Sequence, residues 1–416
     1  MRRLARSVFF FSLCIFPLSA QVQKQAEPAS FLRSNDRFAF DLLRTAHQES
    51  PDRNIVLAPL PVSLSFAALL DGSPDSRSAQ EFSSTFHWEH AFAQPAAARM
   101  LFSRFEKPKP RPEPPAPQNE HEKQLLKLLQ PGMPEESWFS MAFLYRGQNS
   151  LSPEFIERVN YRFGFQFRAV DEKTPQSQIL VQNWDATMPI PTITDSHDFW
   201  ITSSMHLRTS WAGNTFVDAK RQAQDFLLRS GQTIQTDFLK SETTNYPYVR
   251  SDEFEAIELT GWEATILFVL PPPGADISRL EAALAKNPDL VEPFLAYHEG
   301  DVQMPMFHFT YETDMRDALQ KLGVHLIFSD STTLLSMAPN RSGGKLSGVA
   351  QKTEITVDGD GIRADSGTIS GGVYGGIMMV REPFHMTLNR PFVFLIRDTV
   401  THALLFVGAV MNPKAP

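Results

Sequence analysis

Near the C-terminus, a glycine-rich stretch with few anchoring side chains lies between segments that read as strands, and nothing else in the chain narrows the fold as much. Before it, Glu354-Ile355-Thr356-Val357-Asp358 alternates apolar and polar residues as a half-buried strand does. After it come two apolar runs, Phe392-Val393-Phe394-Leu395-Ile396-Arg397-Asp398 and Ala403-Leu404-Leu405-Phe406-Val407-Gly408-Ala409-Val410. The short link Thr399-Val400-Thr401-His402 between them suits a hairpin. Between the first strand and the hairpin, Gly359 to Gly376 holds seven of the chain's 21 glycines, too many for a regular element. Such a segment should be an exposed loop on a rigid scaffold, and loops so placed commonly carry function.

The entry Asn389-Arg390-Pro391-Phe392, the Phe-Leu-Ile-Arg-Asp strand and the closing Phe406-Val407-Gly408 with Asn412-Pro413 resemble the C-terminal end of the serpins. The resemblance runs through roughly residues 33–413 and implies one α/β domain: a large, mainly antiparallel sheet, a second sheet packed against it, and about eight or nine helices. It implies that residues 359–383 form the reactive-centre loop, a protease bait able to enter the main sheet as an extra strand.

The N-terminus reads as an export signal. Arg2, Arg3 and Arg6 precede the apolar run Val8 to Phe16, and Leu18-Ser19-Ala20 offers a small-residue cleavage site. The run is too short to span a bilayer, and Cys14 lacks the preceding small residue of a lipoprotein anchor. Cleavage after Ala20 removes the single cysteine, which excludes disulfides, thiol nucleophiles and cysteine metal sites from the exported chain. It also takes three positive charges from a chain whose formal charge is already −8. So acidic a protein, without a long basic run, is a poor match for nucleic acid or anionic membranes. A periplasmic or secreted monomer without cofactor or metal is the expectation.

Upstream, Arg33 to His47 reads as a capped helix with Phe38, Leu42 and Leu43 on its apolar stripe. Asn54 to Leu60 reads as a short strand and Val62 to Leu70 as a buried helix, a pairing that resembles the serpin N-terminal segment. Lys107 to Gln118 carries six prolines in twelve residues and should be an extended surface insertion, with a short helix, Lys123 to Leu129, after it. Further on, Ser137 to Tyr145 reads as a strand and Pro153 to Val159 as a helix with proline in its first turn. Trp200 to Leu207 and Thr209 to Trp211 follow, and Ala264 to Pro271 reads as a buried strand ended by prolines. Met304 to Tyr311 alternates as one strand, and Asp314 to Leu322 reads as a helix ended by Gly323.

No enzyme constellation stands out. His87-Trp88-Glu89-His90 puts two histidines three apart without a third ligand, so a surface helix pair explains it better than zinc. Asp365-Ser366-Gly367-Thr368 matches the loop of aspartic proteases, but one copy can work only as a homodimer sharing a proton between two carboxylates. It also lies inside the bait loop. That reading predicts acidic-pH proteolysis abolished by Asp365→Asn.

The mechanism the serpin resemblance implies is mechanical: a protease cleaves the loop, is acylated, and is carried off as the loop inserts between strands. Insertion buries alternate side chains, so these must be small. From Gly361 the inward set is Ile362, Ala364, Ser366, Thr368 and Ser370, and the outward set includes Arg363, Asp365 and Gly367. Four of the five inward residues are small, which permits insertion. Against the family pattern, Ile362 stands where inhibitors carry a small hydroxyl residue, and Asp365-Ser366-Gly367 where they carry an alanine-rich run. At the gate, Ala58 and Pro61 replace the two serines of the Ser-Pro-x-Ser helix start, Gln351 replaces a histidine and Ser203 an asparagine, while Trp211 is retained.

The family's spacing from Gly359 lands near Gly375, so Tyr374, Gly375, Gly376, Met378, Met379 and Arg381 frame the candidate scissile region. Tyr374 or the methionines suit a chymotrypsin- or elastase-like target, and Arg381 a trypsin-like one. Two readings stay open: a secreted suicide inhibitor of serine, or cysteine, proteases, and a non-inhibitory binding protein of the same fold.

Overall fold

A computed structural model describes residues 18–72, 76–89, 94–106, 135–146, 151–170, 198–212, 215–216, 221–329, 337, 345–363 and 382–415. Among them are eight α-helices: α1 (Leu18–Glu49), α2 (Pro59–Gly72), α3 (Ser76–Thr85), α4 (Gln94–Arg104), α5 (Pro153–Phe163), α6 (Ile277–Lys286), α7 (Arg316–Leu322) and α8 (Leu326–Ser329). One sheet has the order β11 (Phe307–Asp314), β12 (Lys345–Val357), β13 (Gly361–Arg363), β4 (Asp198–Ser210), β2 (Glu136–Arg146) and β3 (Gln166–Val170). The other runs β1 (Ile55–Leu57), β16 (Leu404–Val410), β15 (Phe392–Asp398), β9 (Ala264–Leu270), β8 (Glu255–Thr260), β7 (Thr244–Arg250), β10 (Ala296–Pro305), β6 (Thr233–Lys240) and β5 (Gln222–Leu227). A short strand, β14 (Phe384–Thr387), pairs in parallel with β10.

The continuous apolar runs at the C-terminus form the expected hairpin. Every residue of β16 is buried, between β15 on one side and β1 on the other. Strands covered on both faces need unbroken apolar sequence rather than alternation, which these runs supply. Helix α1 lies close by, its stripe of Phe38, Leu42 and Leu43 at most 1% exposed and Asn35 Nδ2 donating to the Leu404 carbonyl at 3.2 Å. Helix α2 is apolar nearly all round and buried from Pro59 to Leu70, with Val62, Leu64 and Phe66 fully inaccessible. In α5, Ser152 caps the first turn by accepting from the Phe155 N–H, Pro153 opens the helix, and Gly164 closes it in the left-handed region at φ 70. The buried residues Phe155, Val159 and Phe163 fall on one face at four-residue spacing.

Several expectations need correction. Met304 to Tyr311 is not one strand: β10 ends at Pro305 and β11 begins at Phe307, in the other sheet. Pro305 has no N–H for a ladder, and the Met306 N–H makes a last bond to the first sheet, to the Asp237 carbonyl of β6 at 3.0 Å, before Phe307 joins the other. The segment from Asn54 is strand only over Ile55–Leu57, and helix begins at Pro59, where proline suits a first turn. Trp200 to Leu207 and Thr209 to Ser210 are one strand, β4, which Trp211 follows directly. His87 is not on a helix: α3 ends at Thr85, and His87 adopts φ 55 with its Nε2 2.8 Å from Asp41. His90, the proline-rich insertion and Lys123 to Leu129 lie outside the described residues.

Candidate functional site: the entry of the loop into the sheet

Strands β12 and β4 meet along a parallel seam, from Lys345 opposite Asp198 to Gln351 opposite Ser203. Above that seam they part and β13 lies between them. It pairs antiparallel with both, Thr356 opposite Arg363 and Val357 opposite Ile362 on one side, Gly361 opposite Ser210 and Arg363 opposite Arg208 on the other. The first residues after the Asp358–Gly361 turn therefore already occupy a strand position inside the sheet.

The turn is built from its own sequence. Asp358-Gly359-Asp360-Gly361 is a repeated turn signal, with Asp358 Oδ1 accepting from the Asp360 N–H at 2.9 Å and the Asp358 N–H bonding the Gly361 carbonyl at 3.1 Å. Trp211 is 5% exposed and holds the turn from below, donating its Nε1–H to the Asp358 carbonyl at 2.8 Å. Only glycine fits position 361: its φ is +150, and a Cβ there would lie 2.3 Å from the Thr209 carbonyl oxygen. The end of β4 is tied from its far side as well. Both carboxylate oxygens of Glu135 accept from the Ser210 N–H at 3.1 Å. Burial pushes the Glu135 carboxyl above its ordinary range, and that N–H pulls the other way.

Lower in the seam sits a three-element clasp. The Gln351 side chain, 1% exposed, accepts from the Ala58 N–H at 2.9 Å and donates to the Ala58 carbonyl at 2.8 Å. The same Nε2 reaches Ser203 Oγ at 3.4 Å. One amide on β12 thus satisfies the backbone just ahead of α2 and touches β4. Pro61, in the first turn of α2, offers its carbonyl to Ser65 Oγ at 2.7 Å.

The Serpin (serine protease inhibitor) family model matches residues 33–413. The chain belongs to the serpin family. Serpin-Z7 of Hordeum vulgare is 28% identical to it, over 64% of this chain and 70% of its own length. A serine protease inhibitor of Rattus norvegicus is 24% identical, over 94% of this chain and 91% of its own. Among solved structures, AtSerpin1 of Arabidopsis in its native stressed conformation superposes with a TM-score of 0.74 at 15% identity, covering 94% of this chain and 99% of that one. Human thyroxine-binding globulin, complexed with thyroxine, gives 0.73 at 19% identity, covering 94% and 100%. Likeness at such identities establishes shared architecture alone. Serpins are mostly inhibitors that act on target proteases rather than catalysts.

In this serpin the structure brings three of the five gate residues read from sequence together, with Gln351 bonding both Ala58 and Ser203. Pro61 lies in the first turn of α2, and Trp211 stands apart from them at the hinge turn. Gly361, Ile362 and Arg363 form β13. Ala364, Asp365, Ser366, Gly367, Thr368, Tyr374, Gly375, Gly376, Met378, Met379 and Arg381 lie outside the described residues. Neither Glu135 nor any of the hydrogen bonds of Gln351 is legible in the sequence. The Asp-Gly-Asp-Gly repeat was a signal for the turn, whereas nothing local marked Glu135.

The chain resumes beyond the loop at β14, held by four residue pairs to β10. Phe384 stacks flat on Tyr248 with ring centroids 3.8 Å apart, and His385 Nδ1 lies 2.7 Å from the buried Asp301 carboxylate. Gly300 lets Phe384 approach, since a Cβ there would lie 2.3 Å from its ring.

Proposed function

We propose that this serpin is an exported suicide inhibitor of serine, or cysteine, proteases. The observation that carries the reading is β13, three residues of the bait strand seated between β12 and β4 in inserted register. Extending that register downward, residues 364 to 367 follow, and Thr368 falls opposite both Gln351 and Ser203. Cleavage between Thr368 and Arg381 frees the strand to continue, and passing Thr368 requires the seam at Gln351–Ser203 to open. The full strand gains ladder hydrogen bonds on both sides, which drives the transition. Export rests on the three-part signal, with cleavage after Ala20; N-terminal sequencing of secreted protein should begin at Gln21.

A second reading is a non-inhibitory binding protein of the same fold, as the thyroxine-binding globulin neighbour is named for its ligand. The clasp favours it, because Gln351 ties β12 to Ala58 by two hydrogen bonds and to Ser203 of β4 by a third, below β13. One experiment separates the two. The loop is nicked between Thr368 and Arg381 with a limiting protease and thermal stability is compared before and after. Insertion should raise the melting temperature by roughly tens of degrees. An unchanged midpoint, with no SDS-resistant complex formed with any chymotrypsin-, elastase- or trypsin-like enzyme, means the loop does not insert and the binding reading stands.

A further inference from the structure

A cleft of about 210 Å³ opens where the β7–β8 turn, the prolines after β9 and the chain leaving β14 come together. Sites for drug-sized ligands begin at roughly 300 Å³, so this one suits a small ion. Arg250 and Glu255 line it from the turn, Pro271 to Pro273 from the end of β9, and His385, Asn389 and Arg390 from the chain around β14.

The two arginines bring charge that no carboxylate takes up. Arg390 is half-buried and fixed by neutral groups: Nε and Nη2 donate to the Pro271 carbonyl at 2.9 and 2.7 Å, and Nη1 to Asn389 Oδ1 at 3.1 Å. Those bonds use three of the five N–H donors of a guanidinium and leave two. Burial pulls the Arg390 guanidinium below its ordinary value; Glu255 opposes this, and Arg250, a second cation close by, adds to it. Arg250 is exposed, and neither arginine makes an ion pair among the described residues. A guanidinium held in place by carbonyl oxygens and lacking a counter-ion is a preorganised receptor for an oxyanion.

Glu255, in the same cleft, sets the kind of anion. Its Oε1 accepts from the Tyr248 hydroxyl at 2.6 Å, while Oε2 has no hydrogen bond among the described residues and is not closed off from solvent. A carboxylate only accepts, so it repels an anion that carries no hydrogen and can bond one that does. Hydrogen phosphate keeps an O–H at neutral pH, and sulfate has none.

We propose that this cleft binds inorganic phosphate. The phosphate oxygens take N–H groups of Arg390 and Arg250, and the remaining O–H donates to Oε2 of Glu255. Bound there, the ion bridges the β7–β8 turn to the chain after β14, on the far side of the loop. The site makes no use of the loop, so it stands or falls separately from protease inhibition.

Calorimetric titration of the full chain with sodium phosphate at neutral pH tests it, beside sodium sulfate at matched ionic strength. Phosphate should bind saturably, one per chain, and sulfate roughly tenfold or more weakly. Arg250→Gln, on an exposed side chain, should keep the unliganded melting temperature and weaken phosphate binding roughly tenfold or more. Glu255→Gln should bring the affinities for sulfate and phosphate together. No saturable binding at millimolar phosphate, equal affinity for sulfate in the unaltered chain, or phosphate binding unchanged in Arg250→Gln would overturn the proposal.

Discussion

The side-chain amide of Gln351 closes a two-bond ring on the backbone of Ala58, accepting from its N–H at 2.9 Å and donating to its carbonyl at 2.8 Å. Alanine has no oxygen to bond the backbone ahead of α2, and Gln351 takes over from 293 residues away. The contact lies where the loop strand must pass, so it couples native stability to the readiness of the seam to open.

Gln351→Ala should therefore lower unfolding stability by roughly 2–4 kcal/mol, since it strands a donor and an acceptor of a buried backbone. Urea denaturation of the uncut protein measures the loss. In nicked protein the same change should speed loop insertion; a slower rate would show that the clasp does not close the path.

Gly361→Ala should unseat β13. The Cβ 2.3 Å from the Thr209 oxygen and the φ of +150 cannot both be accommodated, at a cost of roughly 1–3 kcal/mol. Hydrogen exchange at Ile362 and Arg363 should lose protection while the lower seam, Lys345 to Gln351, keeps it. Full protection in the variant would show that the strand tolerates a side chain there.

Arg104 Nη2 lies 2.6 Å from both Glu263 and Asp398, and Asp398 is fully buried. Arg104→Ala leaves that carboxylate to the Thr401 and Val400 donors alone and should cost roughly 2–4 kcal/mol. Asp398→Asn in the same background should recover part of the loss. An additive double-mutant cycle would mean the pair carries no coupling.

Asp276 caps α6, accepting from the Ser278 N–H at 2.9 Å, and that bond leads in holding its carboxyl at about 2 against an ordinary 3.8. The folded state thus binds this proton less readily than the unfolded chain. Its stabilisation is full above about pH 4 and is lost as pH falls through about 2. Because the side chain is 37% exposed, solvent screens the effect, and Asp276→Ala should cost about 1 kcal/mol at neutral pH. The gap between wild type and variant should close as denaturation is repeated from pH 4 down to pH 2; a constant gap would assign the loss to packing.

The residue pattern alone determined the C-terminal hairpin, the apolar helices α1 and α2 and helix α5 with proline in its first turn, while the place of the hinge came from the resemblance to serpins. The elements rest on neighbours in sequence: unbroken apolar runs for β15 and β16 and four-residue spacing in α5. Tertiary structure decided the rest. Met304 to Tyr311 has the alternation of one strand, yet its ladder partners stand in two sheets, and partners decide where a strand ends. Gln351 read only as a departure from a family pattern, because its bonds to Ala58 and Ser203 join segments that local sequence cannot relate. The seating of β13 was likewise beyond reach. It depends on how far β12 and β4 diverge, and that is set by everything packed on their outer edges, not by the three residues that fill the gap.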